Sequence, residues 1–291
     1  MSGSGAPASG AATPAAQLAE LAAETARMAG ALLLERARHG AERRVIAKST
    51  PTDLVSEADL VSERAIRELL HERRPHDGFV GEEGGSEPGS SGLSWVVDPL
   101  DGTINFLFGI PQWCVSVAVR DERGTVAGAV YDPNREELFS ATREGPALLF
   151  AGGEQQVLAV ADAGAGGQQE ASAPAHLGEV TLSRAMVATG LSYSAEVRAA
   201  QAKVLARLIP RVRDIRRFGS AALDLTWTAA GRYDAYFERT VKQWDIAAGA
   251  LICQRAGLEV LELPVHENLP WGILAAPPGL AEALLELVGG P

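Results

Sequence analysis

Two early stretches repeat apolar residues at a helical period. Between residues 16 and 38, Leu18, Leu21, Met28 and Leu32 fall near every third or fourth position, and His39-Gly40 supplies a last-turn histidine and a stop. After Thr52-Asp53 the residues Leu54, Val55, Ala58, Val61, Ala65, Ile66 and Leu69 do the same until Pro75, which predicts a second amphipathic helix, fully formed from about Ser56. Beyond it the period shortens to that of strands. Gly78-Phe79-Val80 reads as a short strand running into a Gly-, Ser- and Pro-rich loop that lasts to Gly92. Residues 94–97, 113–120, 125–131 and 137–142 read as further strands, joined by turn signals such as Glu122-Arg123-Gly124 and Asp132-Pro133-Asn134. Such a meander favours antiparallel pairing.

The second half alternates strands and helices: strand 185–189, helix 195–209 ending at Pro210, strand 213–217, helix 220–230, strand 234–238, helix 243–256. That order predicts a sheet covered by helices. Residues 1–15 are small and polar and read as a disordered tail, and 161–175, rich in Gly, Ala and Gln, as a flexible surface insertion. The organisation expected is therefore an N-terminal α+β half (16–160) and a C-terminal α/β half (176–291), packed as one globular unit. A layered α+β sandwich follows. The stretch after Val260 carries no distinctive motif.

Charge and cysteine usage narrow the function classes. The 291 residues hold 26 Lys plus Arg against 37 Asp plus Glu, a net charge of −11. Nucleic-acid binding draws its affinity from neutralised phosphates, so this surplus speaks against that partner class. It does not exclude a small phosphorylated substrate, because clustered carboxylates can hold divalent cations that reverse the local field. Cys114 and Cys253 fit no zinc pattern and read as buried thiols of a reducing compartment. No leader and no membrane-length apolar run is visible, so a cytoplasmic protein without a membrane partner is expected. The arginines Arg207, Arg211, Arg213, Arg216 and Arg217 read as the solvated face of a helix end and an edge strand, with an interface or a substrate rim as the other possibility.

The chemistry concentrates in Trp95-Val96-Val97-Asp98-Pro99-Leu100-Asp101-Gly102-Thr103-Ile104-Asn105-Phe106. A buried-looking strand delivers Asp98 into a turn where Pro99 fixes φ and Gly102 removes a Cβ. Asp98 and Asp101, with the Leu100 carbonyl, offer the oxygen ligands that Mg²⁺ prefers. The same spacing also suits a surface turn that caps a helix at Thr103. Glu82 follows its own strand at a glycine-bounded corner, Asp245 opens a helix after Trp244, and Asp59 lies just inside the second helix, where helix-dipole effects alone also favour acids.

Gly81-Glu82-Glu83, Asp98-Pro99-Leu100-Asp101-Gly102-Thr103 with Asn105-Phe106, and Trp244-Asp245-Ile246-Ala247-Ala248-Gly249 together resemble the inositol monophosphatase family of Mg²⁺-dependent, lithium-sensitive phosphatases. The resemblance runs from about Leu18 to Gly257 and includes the segment 51–59 near the start, Gly219-Ser220-Ala221-Ala222 and Asp234-Ala235-Tyr236-Phe237-Glu238. It implies an αβαβα sandwich of the inositol monophosphatase/fructose-1,6-bisphosphatase type and a homodimer. It implies two or three Mg²⁺: one on Glu82, Asp98 and the Leu100 carbonyl, a second on Asp98, Asp101 and Asp245, and a weaker third near Glu82. A metal-activated water, oriented and deprotonated by Thr103 and Asp59, would attack phosphorus while the Gly102 and Thr103 amides hold phosphate oxygens. Asp245 would orient the water that protonates the leaving alcohol. Glu238 would accept hydrogen bonds from ring hydroxyls, with the Gly219-Ser220-Ala221 backbone against the ring. Inositol monophosphate is the expected substrate. Relatives with the same metal motif act on histidinol phosphate, fructose 1,6-bisphosphate or nucleotide 3′-phosphates, and a non-catalytic metal-binding interaction protein is the alternative of another class.

Overall fold

The computed structural model describes residues 13–38, 45–47, 54–159 and 181–290. The 161–175 insertion, most of the N-terminal tail and the Pro51-Thr52-Asp53 and His39-Gly40 signals lie outside them. Helix α1 (Pro14–Arg38) opens two residues earlier than its period suggests, because a proline at the first turn presets φ and lacks only an amide that has no helical partner. Leu54 and Val55 do not join the second helix. They form strand β2 (Leu54–Ser56), paired antiparallel with β1 (Val45–Ala47). Ser56 then caps α2 (Glu57–Arg73) in a reciprocal capping box with Asp59.

An eight-stranded sheet follows, made of β3 (Gly78–Gly81), β4 (Gly85–Glu87), β5 (Ser94–Asp101), β6 (Cys114–Asp121), β7 (Gly124–Asp132), β8 (Glu137–Thr142), β9 (Ala147–Ala151) and β10 (Glu154–Leu158), in the order β10-β9-β8-β7-β6-β5-β3-β4. All its pairings are antiparallel except β3 with β5. Short α3 (Thr103–Phe108) leaves β5. The second sheet takes the order β12-β11-β13-β15-β14 from β11 (Met186–Thr189), β12 (Asp214–Arg216), β13 (Ala235–Arg239), β14 (Glu259–Leu263) and β15 (Gly272–Ala276). Its first three strands are parallel and the rest antiparallel. The remaining helices are α4 (Ala195–Leu208), α5 (Ala221–Ala229), α6 (Gln243–Arg255) and α7 (Pro278–Val288).

Period-two alternation along the strands separates three cores and so defines five layers. Trp95 and Val97 face α1 and α2, packing with Leu33 and Ile66. Val96, between them, faces the middle layer of α5 and α6 with Leu225 and Ile252. In the second sheet Tyr236 and Ala275 point into that same middle core, whereas Phe237 and Leu274 point outward to α4 and α7. The result is α/β/α/β/α, as expected from the resemblance. Both cysteines are free and buried in the middle core. Close approach fixes the middle layer: a Cβ on Gly128 of β7 would lie 2.9 Å from the Ala248 backbone of α6.

Arg239 ends β13 only 2% exposed. Its guanidinium donates to the carbonyls of Pro264 (2.9 Å) and Pro270 (2.7 Å), and of Val288 (3.0 Å) and Gly289 (2.8 Å) at the C-terminus of α7. A fork of five donors can close four such bonds, and a cation suits the negative helix end. Arg239→Ala is expected to cost about 3 kcal/mol, the range for a buried charge-assisted network. Urea denaturation should show a lower midpoint at unchanged slope, with Arg239→Lys recovering only part, since an ammonium lacks the fork.

Candidate active site

The site is built where strand ends of the first sheet meet helix starts of the middle layer. Asp98 and Asp101 are three residues apart, so a regular strand would send them to opposite faces. The pairing of β5 with β6 slips between them: Asp98 sits opposite Ser116 and Asp101 opposite Cys114, three residues against two. That one-residue bulge returns Asp101 to the face of Asp98, a use for which bulges are well suited. Leu100, inside the bulge, turns into the α1/α2 core and leaves its carbonyl toward the cavity, where it accepts from the Thr103 hydroxyl at 3.1 Å.

Glu82 arrives by register. Because β3 runs parallel to β5 with Gly81 beside Val97, the next residue falls alongside Asp98, and the Glu82 amide donates to the Val97 carbonyl at 3.3 Å. Asp245 comes from the first turn of α6, where it accepts from the Lys242 amide at 2.6 Å; the Ser116 hydroxyl, opposite Asp98, donates to the Trp244 carbonyl at 3.3 Å and holds that helix start to the sheet. One oxygen each of Glu82, Asp98 and Asp245 lie within 4.8 Å of one another. This acidic, all-oxygen cluster can hold a metal ion, and of a hard type.

Asp101 takes a different setting. Its Oδ2 accepts from the Ser220 hydroxyl and the Ala222 amide, both at 2.7 Å, and its Oδ1 from the Ala221 amide at 3.2 Å, so it anchors the start of α5 to β5. Oδ1 keeps a lone pair, and the residue still lines the cavity. Asp59, fully buried, does not reach the cavity wall: its Oδ1 accepts from the Thr103 hydroxyl at 2.8 Å and its Oδ2 from Ser56. Thr103 does reach it, at the start of α3 behind Gly102, whose φ of 102° is a left-handed conformation that leaves no room for a side chain against Trp113.

The opposite wall of this cavity, about 420 Å³ in volume, belongs to the second half of the chain. Glu238 faces it from β13, accepting from the Tyr236 hydroxyl at 2.9 Å. The parallel register of β11 and β13 sets Gly190 beside Glu238, where any Cβ would overlap the carboxylate. Gly219 and Ala221 line the cavity, whereas Ser220 is turned away to Asp101. Further wall components outside the sequence motifs are residues 191–194, residues 240–242 and Arg217. Arg217 is exposed, as a solvated arginine should be, and it also borders the cavity over the Gly219 turn, two residues ahead of that glycine, which fits a substrate rim.

The inositol monophosphatase family profile matches residues 15–288. The chain belongs to this family. An inositol-1-monophosphatase of Mycobacterium leprae is 44% identical over 253 residues, covering 83% of this chain and 80% of the relative. A protein of Xylella fastidiosa that carries the name Nus factor SuhB is 39% identical over 233 residues, covering 80% and 77%. The solved structure of Mycobacterium tuberculosis SuhB superimposes with a TM-score of 0.75 at 37% identity, covering 94% of this chain and 95% of that one. As a member of the inositol monophosphatase family, the chain is a phosphatase.

Electrostatics of this inositol monophosphatase site are dominated by burial. Desolvation first, then the charges of Glu82, Asp101 and Asp245, push the Asp98 carboxyl well above the usual carboxylate range. Burial does the same to Asp245. It lifts Asp101 to about 6, against the downward pull of Ser220 and the two amides. It lifts Glu238 to about 7, opposed by the Tyr236 hydroxyl and by Arg217. For Glu238 the folded value lies above the ordinary 4.5. Its contribution to stability is therefore complete below that value and lost as pH rises through about 7. The metal-free chain is expected to melt at progressively lower temperature across this window, and Glu238→Gln to lose less over it. Calorimetry at stepped pH checks this; equal slopes for the two proteins would remove Glu238 from the effect.

Proposed function

We propose that the chain hydrolyses inositol monophosphates to inositol and phosphate. The observation carrying this is one cavity with Glu82, Asp98 and Asp245 converging on one side and Glu238 facing it from the other. Glu82, Asp98, the Leu100 carbonyl, Asp101 and Asp245 would hold two or three Mg²⁺. When bound, such ions lower the pKa of water and neutralise charge on the phosphate and the leaving oxygen. The residues of the chain do the positioning. The Thr103 hydroxyl, already hydrogen-bonded to Asp59, orients the attacking water and passes its proton toward the Asp59 carboxylate. The Gly102 and Thr103 amides hold phosphate oxygens as backbone donors. Asp245 orients the water that protonates the departing alcohol. Glu238 accepts from ring hydroxyls, with the backbone at Gly219-Ser220-Ala221 against the ring; a carboxylate acceptor pair discriminates a polyol from an apolar alcohol at little cost in reach. Displacement of one Mg²⁺ by Li⁺ would account for inhibition by lithium. The working protein in this proposal is a cytoplasmic homodimer; among the described residues no helix is long and apolar enough to cross a membrane.

A binding role without catalysis is the competing assignment, since relatives carry the name Nus factor SuhB. The complete acid set here supports catalysis instead. With Mg²⁺ present, inositol 1-phosphate is expected to be turned over faster than histidinol phosphate, fructose 1,6-bisphosphate or a nucleotide 3′-phosphate. Faster turnover of any of these would overturn the substrate assignment and keep the chemistry, whereas no hydrolysis of the whole set would favour the binding role. Asp98→Asn is expected to lower kcat/KM by at least about a hundredfold, the scale of losing a principal electrostatic group, with the fold retained.

A further inference from the structure

The geometry points to Glu63 as a positioning residue that fixes the Glu82 corner for cation binding, a role that rests on Glu82 being a metal ligand. Glu63 follows Asp59 by four positions on α2 and Ser62 by one, so the three share one helix face. Each grips a different segment of the site. Asp59 holds Thr103, the Ser62 hydroxyl donates to the Pro99 carbonyl inside the β5 bulge at 2.9 Å, and Glu63 Oε2 accepts from the Glu83 amide at 2.8 Å. The last of these fixes the peptide immediately after Glu82.

Glu63 is itself held. It is 4% exposed, and its Oε1 accepts from Arg67 Nη2 at 3.1 Å. Arg67 stacks on the Phe79 ring, 4.2 Å from its centroid, and its other nitrogen pairs with Glu87 of β4. The corner between β3 and β4 is thus pinned to α2 from two sides. Two glycines are shaped by this carboxylate: a Cβ at Gly81 or at Gly84 would overlap it. Glycine at both positions leaves the Glu63 carboxylate seated against the backbone that carries Glu82. A buried acid held by one amide and one guanidinium next to a ligand gains little as pure structure, because desolvating a carboxylate needs such partners merely to break even. Its return is orientation, the task of outer groups around metal ligands, whose loss typically costs 10- to 100-fold in affinity or activity.

The test is Mg²⁺ titration of the metal-free full-length protein by calorimetry, without substrate, alongside kcat and KM at saturating Mg²⁺. Glu63→Ala is expected to weaken Mg²⁺ binding about tenfold, the lower end of that range, while kcat at saturating Mg²⁺ stays within about threefold of wild type. Glu63→Gln, which keeps an acceptor for the Glu83 amide, is expected to restore most of the affinity. Should Glu63→Ala fail to fold, Gly84→Ala serves: the residue is exposed, its φ lies outside the left-handed region, and its Cβ would displace the Glu63 carboxylate and Arg67. It too is expected to weaken Mg²⁺ binding several-fold. Wild-type Mg²⁺ affinity in a folded Glu63→Ala or in Gly84→Ala, or a fall in melting temperature with affinity unchanged, overturns the inference alone. A wild-type protein that binds no Mg²⁺ overturns the metal assignment of Glu82 itself, and the inference with it.

Discussion

Everything around the cavity answers one electrostatic constraint: four carboxylates, those of Glu82, Asp98, Asp101 and Asp245, must be held close together in a largely buried cleft. Two like charges at the 4.8 Å limit of the Glu82, Asp98 and Asp245 cluster repel by about 3–4 kcal/mol at an effective dielectric constant near 20. Left to themselves the side chains would splay. Each is instead committed by backbone geometry, which a rotamer change cannot undo: Glu82 by the parallel register of β3, Asp98 and Asp101 by the β5 bulge, Asp245 by the first turn of α6. Partners then share the load. Asp101 rests on the hydroxyl and amides that open α5, and Asp98 on the Leu100 amide at 3.0 Å. The balance left open is one that a cation on Glu82, Asp98 and Asp245 would complete.

Holding four acids in place requires rigid neighbours, which accounts for the layered build. The site lies where the first sheet, the middle helices and the second sheet meet, so each segment that carries one of these acids is backed by a packed core. Trp95, Val97 and Leu100 fasten β5 to the α1/α2 layer, while Val96 fastens it to the middle layer. Gly128 and Gly249 let α6 approach β7 and α5 closely. The clamp of Arg239 on α7 does the same for the strand end that carries Glu238. Core packing of this kind transmits small errors, so a group far from the cavity can misplace a ligand.

The main elements and the acid set were legible in the sequence because both rest on local signals. Period-two and helical alternation placed most of the longer strands and helices through Arg255, and the Asp98-Pro99-Leu100-Asp101-Gly102 turn announced itself. What escaped depends on partners distant along the chain. Strand β9, Ala-Leu-Leu-Phe-Ala, lacks alternation, and β10 is almost wholly exposed, so neither differs from loop until the pairing of β9 with β8 and β10 is known. The same holds for β4, three exposed residues in a glycine-rich loop. Ser62 and Glu63 look like the polar side of any surface helix; only the position of the β3–β4 corner and the β5 bulge against α2 gives them a purpose. Arg217 reads as solvated and is exposed; that the Gly219 turn also brings it to the cavity rim depends on the fold.

The division of labour between the halves of the chain follows from the same geometry. The acids that can hold cations come from the end of β3, from β5 and from α6, and the hydrogen-bonded pair Asp59 and Thr103 from α2 and α3. These are fixed by register and bulge, which tolerate little variation. The wall that faces them, residues 191–194, Arg217, Glu238 and Lys242, is built largely from strand ends and connecting turns of the second sheet. Such segments carry little core and change at low cost in stability. A carboxylate at Glu238 and a guanidinium at Arg217, set in one wall, offer an acceptor and a donor to the same molecule, which suits the proposed reading of a polyol on that side. On the proposed function, chemistry and selectivity thus sit on different structural supports.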